Sequence, residues 1–539
     1  MTLDIHHLEL LMLLLLLFVI GLAVLAKRIE QPYPIVFVLG GLVLSFLPPV
    51  PDIVLHPDFV FLVVLPPLLF AAAHNSSWRD LRENMTSILM LAFGLVAFTV
   101  VGVGFAAHFF FPQLTWRTGL VLGAVVSTTD AIAATSIARK LGLPTRIVDI
   151  LEGESLINDA SGLLALSFTV GIILSGHAPS FRVAVGELLY LSLGGLVIGL
   201  ALAWVHSRLI QRIEAASIEL TMVLITPYVV YLTAERLHTS GVIATVACGV
   251  YLGHRQAQLL SLGARLESPA IWNTVDFILN GVVFILLGLQ ISSVMAGIEG
   301  LRLGQLVAGG LMVSLIVILL RFIWIFPGAW VSQKIHPLLF RKTMAPIERP
   351  QLFIVAWGGM RGVIALAAAV SLPETLKDGT PFPARNIIIF FTFCVILVTL
   401  VIQGLTLPVI IRKLGLAQSA PVDLEEQLAR ERMIQTALDY LEEEKEKSPE
   451  EKEIYDALEK TYRRRLALMR NTNEDTKEEM FTQARRYLDI ARAARNVERH
   501  TAGDLLETNQ INDNIYQQLI LDIDLLDARY PALKSSSYS

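Results

Sequence analysis

Long apolar runs alternate with short polar loops from the start of the chain to about residue 415, and this pattern predicts membrane-crossing helices. A helix needs about 20 apolar residues to cross a bilayer. Thirteen runs come near that length, although several are short or interrupted by polar residues; they lie at 8–26, 33–47, 59–73, 86–111, 117–138, 147–176, 183–206, 217–235, 239–253, 269–290, 304–332, 350–372 and 386–411. We therefore predict an all-α polytopic membrane protein with about thirteen spans.

The pattern changes near residue 416, where the sequence becomes rich in charge and its apolar residues recur at helical spacing. This change predicts a transmembrane domain at 1–415 and an α-helical tail at 416–539. We expect the tail to have a regulatory or assembly role, and its sequence does not identify a partner.

The loop charges predict an orientation in the membrane. The loops after the first, third, fifth, seventh, ninth and eleventh runs hold fifteen Lys and Arg residues, whereas the other loops hold six. Positively charged loops face the cytoplasm, so we expect the amino terminus outside and the tail in the cytoplasm. An odd number of spans agrees with that orientation.

Composition supports the membrane class and narrows the partners. The chain is 54% hydrophobic with a mean hydropathy of +0.60, so lipid is an expected partner. The net charge of −5 is unlike that of a nucleic-acid-binding protein.

The sixth run contains EGESLINDASG at 152–162, with three acids in an apolar segment. Residues advance by about 100° along a helix, so Glu152, Ser155 and Asp159 share one stripe. The second stripe carries Glu154, Asn158 and Ser161. Charges at membrane depth usually line a pathway or pair with one another, and we expect this helix to present polar groups to two different neighbours.

The fifth run contains STTDA at 127–131, with four polar residues in succession. Their side chains compete for backbone hydrogen bonds, which predicts an unwound segment around Thr129 and Asp130. Irregular backbone is tolerated at this depth where it lines a cavity or packs against protein.

The twelfth run contains GGMRG at 358–362, where three glycines weaken the helix around Arg361. The fifth and twelfth spans are seven apart and so run in opposite directions. Interrupted helices at matching places of two halves point to a transporter binding site. We expect Asp130 and Arg361 to neutralise the partial charges of the broken helix ends.

Arg321 lies within the apolar eleventh run and needs a carboxylate partner at that depth. Glu154 is the predicted partner, because its stripe differs from that of Asp159. Asp276 and Asn280 share a helical face in the tenth run, which allows them to border a pathway, but the sequence does not assign them to the site.

These motifs, STTDA, LEGESLINDASG, Arg321 in its apolar helix and GGMRG, occur in the order typical of one family. Over about 1–415 the chain resembles the monovalent cation:proton antiporters, which include bacterial NhaP-type proteins and eukaryotic sodium/proton exchangers. The resemblance implies an NhaA-like fold with inverted repeats and two crossed broken helices. It also implies a homodimer whose subunits have a core and a dimerisation subdomain.

The resemblance also implies the site. Asp159 would be the exchange group beside Asn158, and Ser155, Asp130, the Thr129 carbonyl and the Glu154 region would complete or support cation coordination. A sodium ion would be held at Asp159, Ser155 and Thr129, with Arg321 and Arg361 as supporting charges. The Asn-Asp pair is associated with electroneutral exchange. One departure is that Thr128 and Ala131 stand where many relatives carry proline, so unwinding would rest on the hydroxyl side chains.

We predict a sodium(lithium)/proton antiporter of the plasma (inner) membrane, with a role in pH homeostasis. The proton and the cation would compete for Asp159, and we expect no enzymatic activity and no cofactor besides the transported ions. A potassium/proton antiporter of the same fold is the alternative within transport. A membrane sensor, a channel or a hydrolase using Ser155 are alternatives from other classes, and the hydrolase lacks a deep partnered histidine.

Overall fold

The computed structural model describes residues 5–46, 57–175, 180–296, 298, 302–341, 345–376, 379–417, 424–447, 449–470, 474–508 and 510–528. Within these residues the regular structure is helical, and extended pairing is limited to an isolated bridge between Thr375 and Pro381. The chain divides into two compact units, Met1–Ala420 and Pro421–Ser539, which are described separately.

The helices of the first unit follow the apolar runs. Its first half contains α1 (Ile5–Arg28), α2 (Tyr33–Ser45), a π-helical turn (Phe59–Val64) that continues into α3 (Leu65–Asn75), α4 (Trp78–Leu89), a second π-helical turn (Met90–Leu95) that continues into α5 (Val96–Phe110), α6 (Trp116–Val125), α7 (Ile132–Lys140) and α8 (Thr145–Ser175).

The second half contains α9 (Phe181–Ile210), α10 (Ala216–Arg236), α11 (Gly241–Leu259), α12 (Leu262–Leu289), α13 (Ile291–Ala296), α14 (Leu303–Phe340), α15 (Arg349–Trp357), α16 (Val363–Val370) and α17 (Arg385–Val398), which runs through a π-helical turn (Thr399–Gln403) into α18 (Gly404–Lys413).

Short polar turns start several of these helices. The hydroxyls of Ser77, Thr115, Ser240 and Ser261 each accept a hydrogen bond from a backbone N–H in the first turn of the helix that follows, α4, α6, α11 and α12 respectively. Such caps satisfy N–H groups that have no partner inside the helix. The turn residues therefore fix where each helix begins, while the apolar runs fix its length.

Seven helical segments of the described chain are long and apolar enough to cross a membrane, which agrees with the predicted polytopic class; they are Trp78–Phe110, Thr145–Ser175, Arg182–Ile210, Ala216–Arg236, Leu262–Leu289, Leu303–Phe340 and Arg385–Lys413. Their outer faces are apolar: on α9, Leu193, Val197 and Trp204 are 56%, 64% and 53% exposed. The count of thirteen spans stays a prediction, because the remaining segments are shorter or interrupted.

Two predicted spans are interrupted helices. The fifth is α6 followed by α7, with non-helical backbone between Val125 and Ile132, and the twelfth is α15 followed by α16, with non-helical backbone between Trp357 and Val363. Both breaks fall on the polar or glycine-rich motif that predicted them. The all-α fold with two broken helices is therefore confirmed.

The largest hydrophobic core surrounds the broken helices, and it includes Val121, Val125, Leu151, Val355, Leu366 and Ile396. A second core joins α3 to the helices α9–α12, through Phe70, Ala203, Val230, Ala244, Cys248 and Trp272. The helix α12 contributes to both cores, since Phe284 packs in the first and Trp272 in the second. The candidate site lies where these two groups of helices face each other.

The second unit is helical as predicted for the tail. It comprises α19 (Leu424–Lys447), a 3-10 turn (Pro449–Glu451), α20 (Lys452–Arg470), α21 (Glu474–Glu507) and α22 (Asp513–Ala528). Ile434, Leu438 and Leu466 pack between α19 and α20, and Arg463 pairs with Glu442 across the same hairpin at 2.6 Å. The functional role predicted for this unit stays a prediction.

Candidate functional site

The two interrupted helices cross at their breaks. The backbone N–H of Asp130 donates to the carbonyl of Met360 at 2.8 Å, which joins the two non-helical segments directly. Thr128 and Thr129 are buried at 2% and 5% exposure, and Met360 is completely buried. The fifth span is therefore unwound here without a proline in the break.

Each broken end carries a compensating charge. Arg361, 1% exposed, donates from Nε to the carbonyl of Val126 at 3.0 Å, at the carboxyl end of α6. Asp130 accepts from the N–H of Ile132 at 2.9 Å, at the amino end of α7, and its side chain fills the space beside Gly362 at the amino end of α16. The positive charge of Arg361 opposes the partial negative charge at the carboxyl end of α6, and the negative charge of Asp130 opposes the partial positive charges at the amino ends of α7 and α16. The predicted neutralising contacts are therefore present.

The helix α8 presents its two polar stripes to different surroundings, as the helical spacing predicts. Glu152, Ser155 and Asp159 line a cavity of about 460 Å³. Glu154 and Asn158, on the other stripe, are each 1% exposed and face protein. The polar groups of one helix are thus divided between an open space and a buried hydrogen-bond network.

The cavity separates the broken helices from the facing wall. On one side it is lined by Thr128, Thr129, Asp130, Ser155, Asp159 and Val363, and on the other by Leu65, Leu69, Ala72, Trp272, Asp276 and Phe284. The first set belongs to α8 and the helix crossing, and the second belongs to α3 and α12. The cavity therefore lies between the two groups of helices.

Asp159 lies in the deep part of this cavity. It is 4% exposed, and no hydrogen bond or ion pair joins it to another side chain in the described part of the chain. A carboxylate without a counter-charge in such a place is costly unless it holds a proton or a cation. Its position suits a group that takes either one.

Ser155 connects α8 to the unwound backbone of the fifth span. Its hydroxyl donates to the carbonyl of Thr129 at 3.0 Å and accepts from the N–H of Ala131 at 3.3 Å. Ser155 and Thr129 also line the cavity with Asp159, so residues that carry three kinds of hard oxygen (carboxylate, hydroxyl and carbonyl) border the same space. Hard oxygens are the ligands that small cations prefer.

The second stripe of α8 forms the buried network. Both Nη groups of Arg321 donate to the Glu154 carboxylate, one of them to Oε2 at 2.8 Å, and both side chains are 1% exposed. Thr129 Oγ1 donates to Glu154 Oε1 at 3.1 Å and accepts from Asn158 Nδ2. The predicted pairing of Arg321 with Glu154 is confirmed, and it neutralises the charge of Glu154.

Glu152 occupies the shallow end of the cavity. Its Oε1 accepts from Nε and Nη2 of Arg139 at 3.2 and 2.7 Å, and Arg139 lines the same cavity from the end of α7. The Arg139 side chain is 62% exposed, so this pair sits at the mouth. Glu152 thus has a partner that its sequence position did not reveal.

Residues 13–413 of the chain match a family model described as "Sodium/hydrogen exchanger, transmembrane". The chain belongs to the sodium/hydrogen exchanger family. The match covers the helix crossing, α8, the cavity and Arg321, and it ends at Lys413, the last residue of α18. The family predicted from the four motifs is therefore confirmed.

Relatives of this exchanger are known from several bacteria. It is 31% identical to an uncharacterized Na(+)/H(+) exchanger of Mycobacterium tuberculosis, over 93% of this chain and 92% of the relative. It is 34% identical to the Na(+)/H(+) antiporter ApNhaP of Aphanothece halophytica, over 72% and 70%. A "Sodium, potassium, lithium and rubidium/H(+) antiporter" of Bacillus pumilus is 32% identical, over 81% of this chain and 65% of that protein.

A solved structure shares the fold of the exchanger. The sodium proton antiporter MjNhaP1 of Methanocaldococcus jannaschii matches with a TM-score of 0.60 at 20% identity, covering 76% of this chain and 98% of that one. This likeness supports the predicted NhaA-like architecture of the first unit.

Sequence reasoning left two cavity residues of the exchanger unassigned. Asp276 and Asn280 both line the cavity from α12, and Asn280 Nδ2 donates to Asp276 Oδ1 at 3.0 Å. Their shared helical face was visible in the sequence. Which neighbouring helix that face meets depends on the packing of α12, and spacing within one helix does not contain that information.

Proposed function

We propose that this exchanger carries sodium or lithium in one direction and protons in the other, with the two ions competing for Asp159. The observation that carries this proposal is the buried Asp159 carboxylate in an open cavity, without a counter-charge among the described residues. Family membership supports it, as do the names of the relatives from Aphanothece and Bacillus.

The proposed cation ligands are Asp159, the Ser155 hydroxyl and the Thr129 carbonyl, with Asp130 nearby. Asn158 and Glu154 hold the unwound segment through the Thr129 hydroxyl, so they support the ligands from behind. Arg321 and Arg361 supply the charges that stabilise Glu154 and the broken end of α6. Sodium is cargo in this scheme, and the chemistry consists of ion binding without covalent steps.

Competition at one carboxylate explains obligatory exchange. Loaded with a proton or with a monovalent cation, Asp159 is neutral overall, whereas the empty carboxylate carries a charge that is costly to move into an apolar environment. Only the loaded forms would then permit the cavity to open alternately to the two sides. Because Asn158 is neutral and Glu154 is paired, Asp159 is the one exchangeable charge of the proposed ion site on α8, and we propose an electroneutral cycle.

The proposed setting is the plasma (inner) membrane, with the amino terminus outside and the tail in the cytoplasm. In that orientation the loop between α7 and α8 is cytoplasmic, so the cavity mouth at Arg139 and Glu152 opens inward. Apolar outer faces such as that of α9 support a lipid environment. We further propose that the exchanger works as a homodimer, as its family resemblance implies.

The test is ion exchange in liposomes that contain the full chain and a pH dye. Sodium, lithium and potassium are added in turn, with and without an imposed voltage, and electroneutral exchange predicts rates that the voltage does not change. Asp159→Asn should remove all cation-dependent proton movement. Asp149→Asn, on the same helix but outside the cavity, is the matched control and should keep it.

Exchange by Asp159→Asn at the wild-type rate would contradict the assignment. Potassium/proton exchange is the second candidate, and the name of the Bacillus pumilus relative, at 32% identity, favours it. If potassium drives proton movement as fast as sodium does, the exchanger also accepts potassium. If only sodium and lithium drive it, the exchanger is selective for these two ions.

A further inference from the structure

One face of α12 forms part of the cavity wall opposite the helix crossing, beside α3. Trp272, Asp276, Asn280 and Phe284 follow one another at intervals of four residues, and all four line the cavity. Residues four apart lie on the same side of a helix. This face therefore places a carboxylate and an amide between two large apolar side chains, in the cavity that holds the proposed ion site.

The amide of Asn280 holds the Asp276 carboxylate in position. Its Nδ2 donates to Asp276 Oδ1 at 3.0 Å, while Asn280 is 9% exposed and Asp276 is half-buried. Asp276 Oδ2 has no protein donor in the part of the chain that the structure describes. An oriented carboxylate with one unengaged oxygen is a ready ligand for a cation.

Negative charge dominates the surroundings of Asp276. Asp276 and Asp130 line the same cavity. Asp159, buried and without a partner among the described residues, lines the same space. The basic side chain that lines the cavity, Arg139, is already held by Glu152. Three carboxylates thus line one cavity, and its described lining leaves no basic side chain unpaired.

We propose that Asp276 and Asn280 form a second subsite for a monovalent cation, which the ion occupies on its way to Asp159. This inference rests on the proposed function. The half-buried position of Asp276 leaves room for the ion to keep part of its water shell, so the subsite binds weakly and raises the local cation concentration. In this proposal Asp276 contacts the ion directly, before the ion reaches Asp159.

The subsite predicts a change in apparent affinity with little change in maximal rate. Asp276→Asn removes one negative charge from the cavity wall. A unit charge a few ångströms from the ion changes the local cation concentration by about threefold to tenfold. We expect the half-saturating sodium concentration in the liposome assay to rise by about that factor, with a maximal rate within about twofold of wild type. Asp276→Glu restores the charge and should restore the affinity.

Glu267→Gln is the matched control, because Glu267 is an exposed acid on the same helix and does not line the cavity. It should leave the half-saturating concentration unchanged. If Asp276→Asn does not fold, as judged by size-exclusion chromatography, Asp276→Ser gives the same readout with a smaller side chain.

An unchanged half-saturating concentration in a folded, neutral Asp276 variant would overturn the subsite while leaving the exchange proposal intact. A lowered maximal rate that Asp276→Glu does not restore would also overturn it, because the residue would then be structural. Failure of the wild-type chain itself to exchange would overturn the proposed function and the subsite together. The wild-type measurement therefore separates the two failures.

Discussion

Arg321 and Glu154 form a two-pronged ion pair in which both side chains are 1% exposed. Arg321 also donates from Nε to the carbonyls of Val355 and Ala356 at 3.2 and 3.1 Å, at the carboxyl end of α15. One guanidinium therefore joins α14, α8 and the broken twelfth span. The contact stabilises the helix crossing without facing the cavity.

Glu154→Gln should destabilise the exchanger strongly. The substitution leaves the Arg321 charge buried without its carboxylate, and breaking a buried pair in this way costs about 3–5 kcal/mol. Thermal unfolding in detergent, followed by size-exclusion chromatography, would show a lowered midpoint for the variant.

The pair at the cavity mouth provides the control. Glu152→Gln breaks an ion pair of the same residue types, but Arg139 is 62% exposed there. Exposed pairs contribute about 0–1 kcal/mol, so this variant should unfold close to the wild-type temperature. Equal destabilisation of the two variants would contradict the argument that burial makes the Glu154 pair important.

Ser155→Ala should weaken sodium binding and leave the fold intact. The hydroxyl is both a proposed ligand and the bridge between the Thr129 carbonyl and the Ala131 N–H, so its loss removes one oxygen and loosens another. We expect the half-saturating sodium concentration to rise about tenfold, the effect of roughly 1.4 kcal/mol at 25 °C.

Ser167→Ala is the control on the same helix, because the Ser167 hydroxyl is exposed and bonds only to its own helix at Leu163 among the described residues. Its kinetics should match wild type in the liposome assay. A Ser155→Ala variant with unchanged sodium dependence would remove this residue from the cation ligands.

The sequence predicted well what local periodicity determines. The two stripes of α8 and both helix breaks follow from spacing, hydroxyl content and glycine content, and the partner of Arg321 follows from the need to neutralise a buried charge. The stripes and the breaks each depend on the sequence of one segment, and the pairing of Arg321 depends on the high cost of an unpaired buried charge.

The sequence did not predict the contacts that depend on how the helices cross. The sequence predicted Arg361 at a broken helix end, but its bond to the carbonyl of Val126 depends on how the two breaks lie against each other. The contact of Arg321 with the end of α15 depends on the same packing. The facing wall formed by Asp276 and Asn280 depends on the packing of α12 against the crossing. No spacing rule within a single helix specifies these relationships.

Removal of the tail should leave the transport reaction in place. Every proposed ligand and every cavity residue lies in the unit Met1–Ala420. A chain that ends at Ala420 should therefore keep sodium-dependent proton movement in liposomes, with the same half-saturating concentration as the full chain. Loss of exchange in a truncated chain that is folded and inserted would show that the tail completes the transport unit. A change confined to pH dependence would support its regulatory role.

Gly362→Ala should disrupt the helix crossing and abolish exchange. A Cβ atom at Gly362 would overlap the side chain of Asp130, which cannot withdraw without losing its bond to the N–H of Ile132. The backbone at Gly362 is extended, with φ of −120°, so the requirement for glycine is one of space. We expect a lowered unfolding temperature together with loss of sodium-dependent proton movement.

Gly171→Ala is the matched substitution in the helix α8, because no described atom beyond the neighbouring residues and the local helix backbone lies within 4 Å of the Cβ position at Gly171. Alanine favours a helix over glycine by about 1 kcal/mol, so this variant should be active and at least as stable as wild type. If Gly362→Ala behaves in the same way, the close approach of Asp130 to the twelfth span is not required for exchange, and the neutralising role of Asp130 at α16 would be wrong.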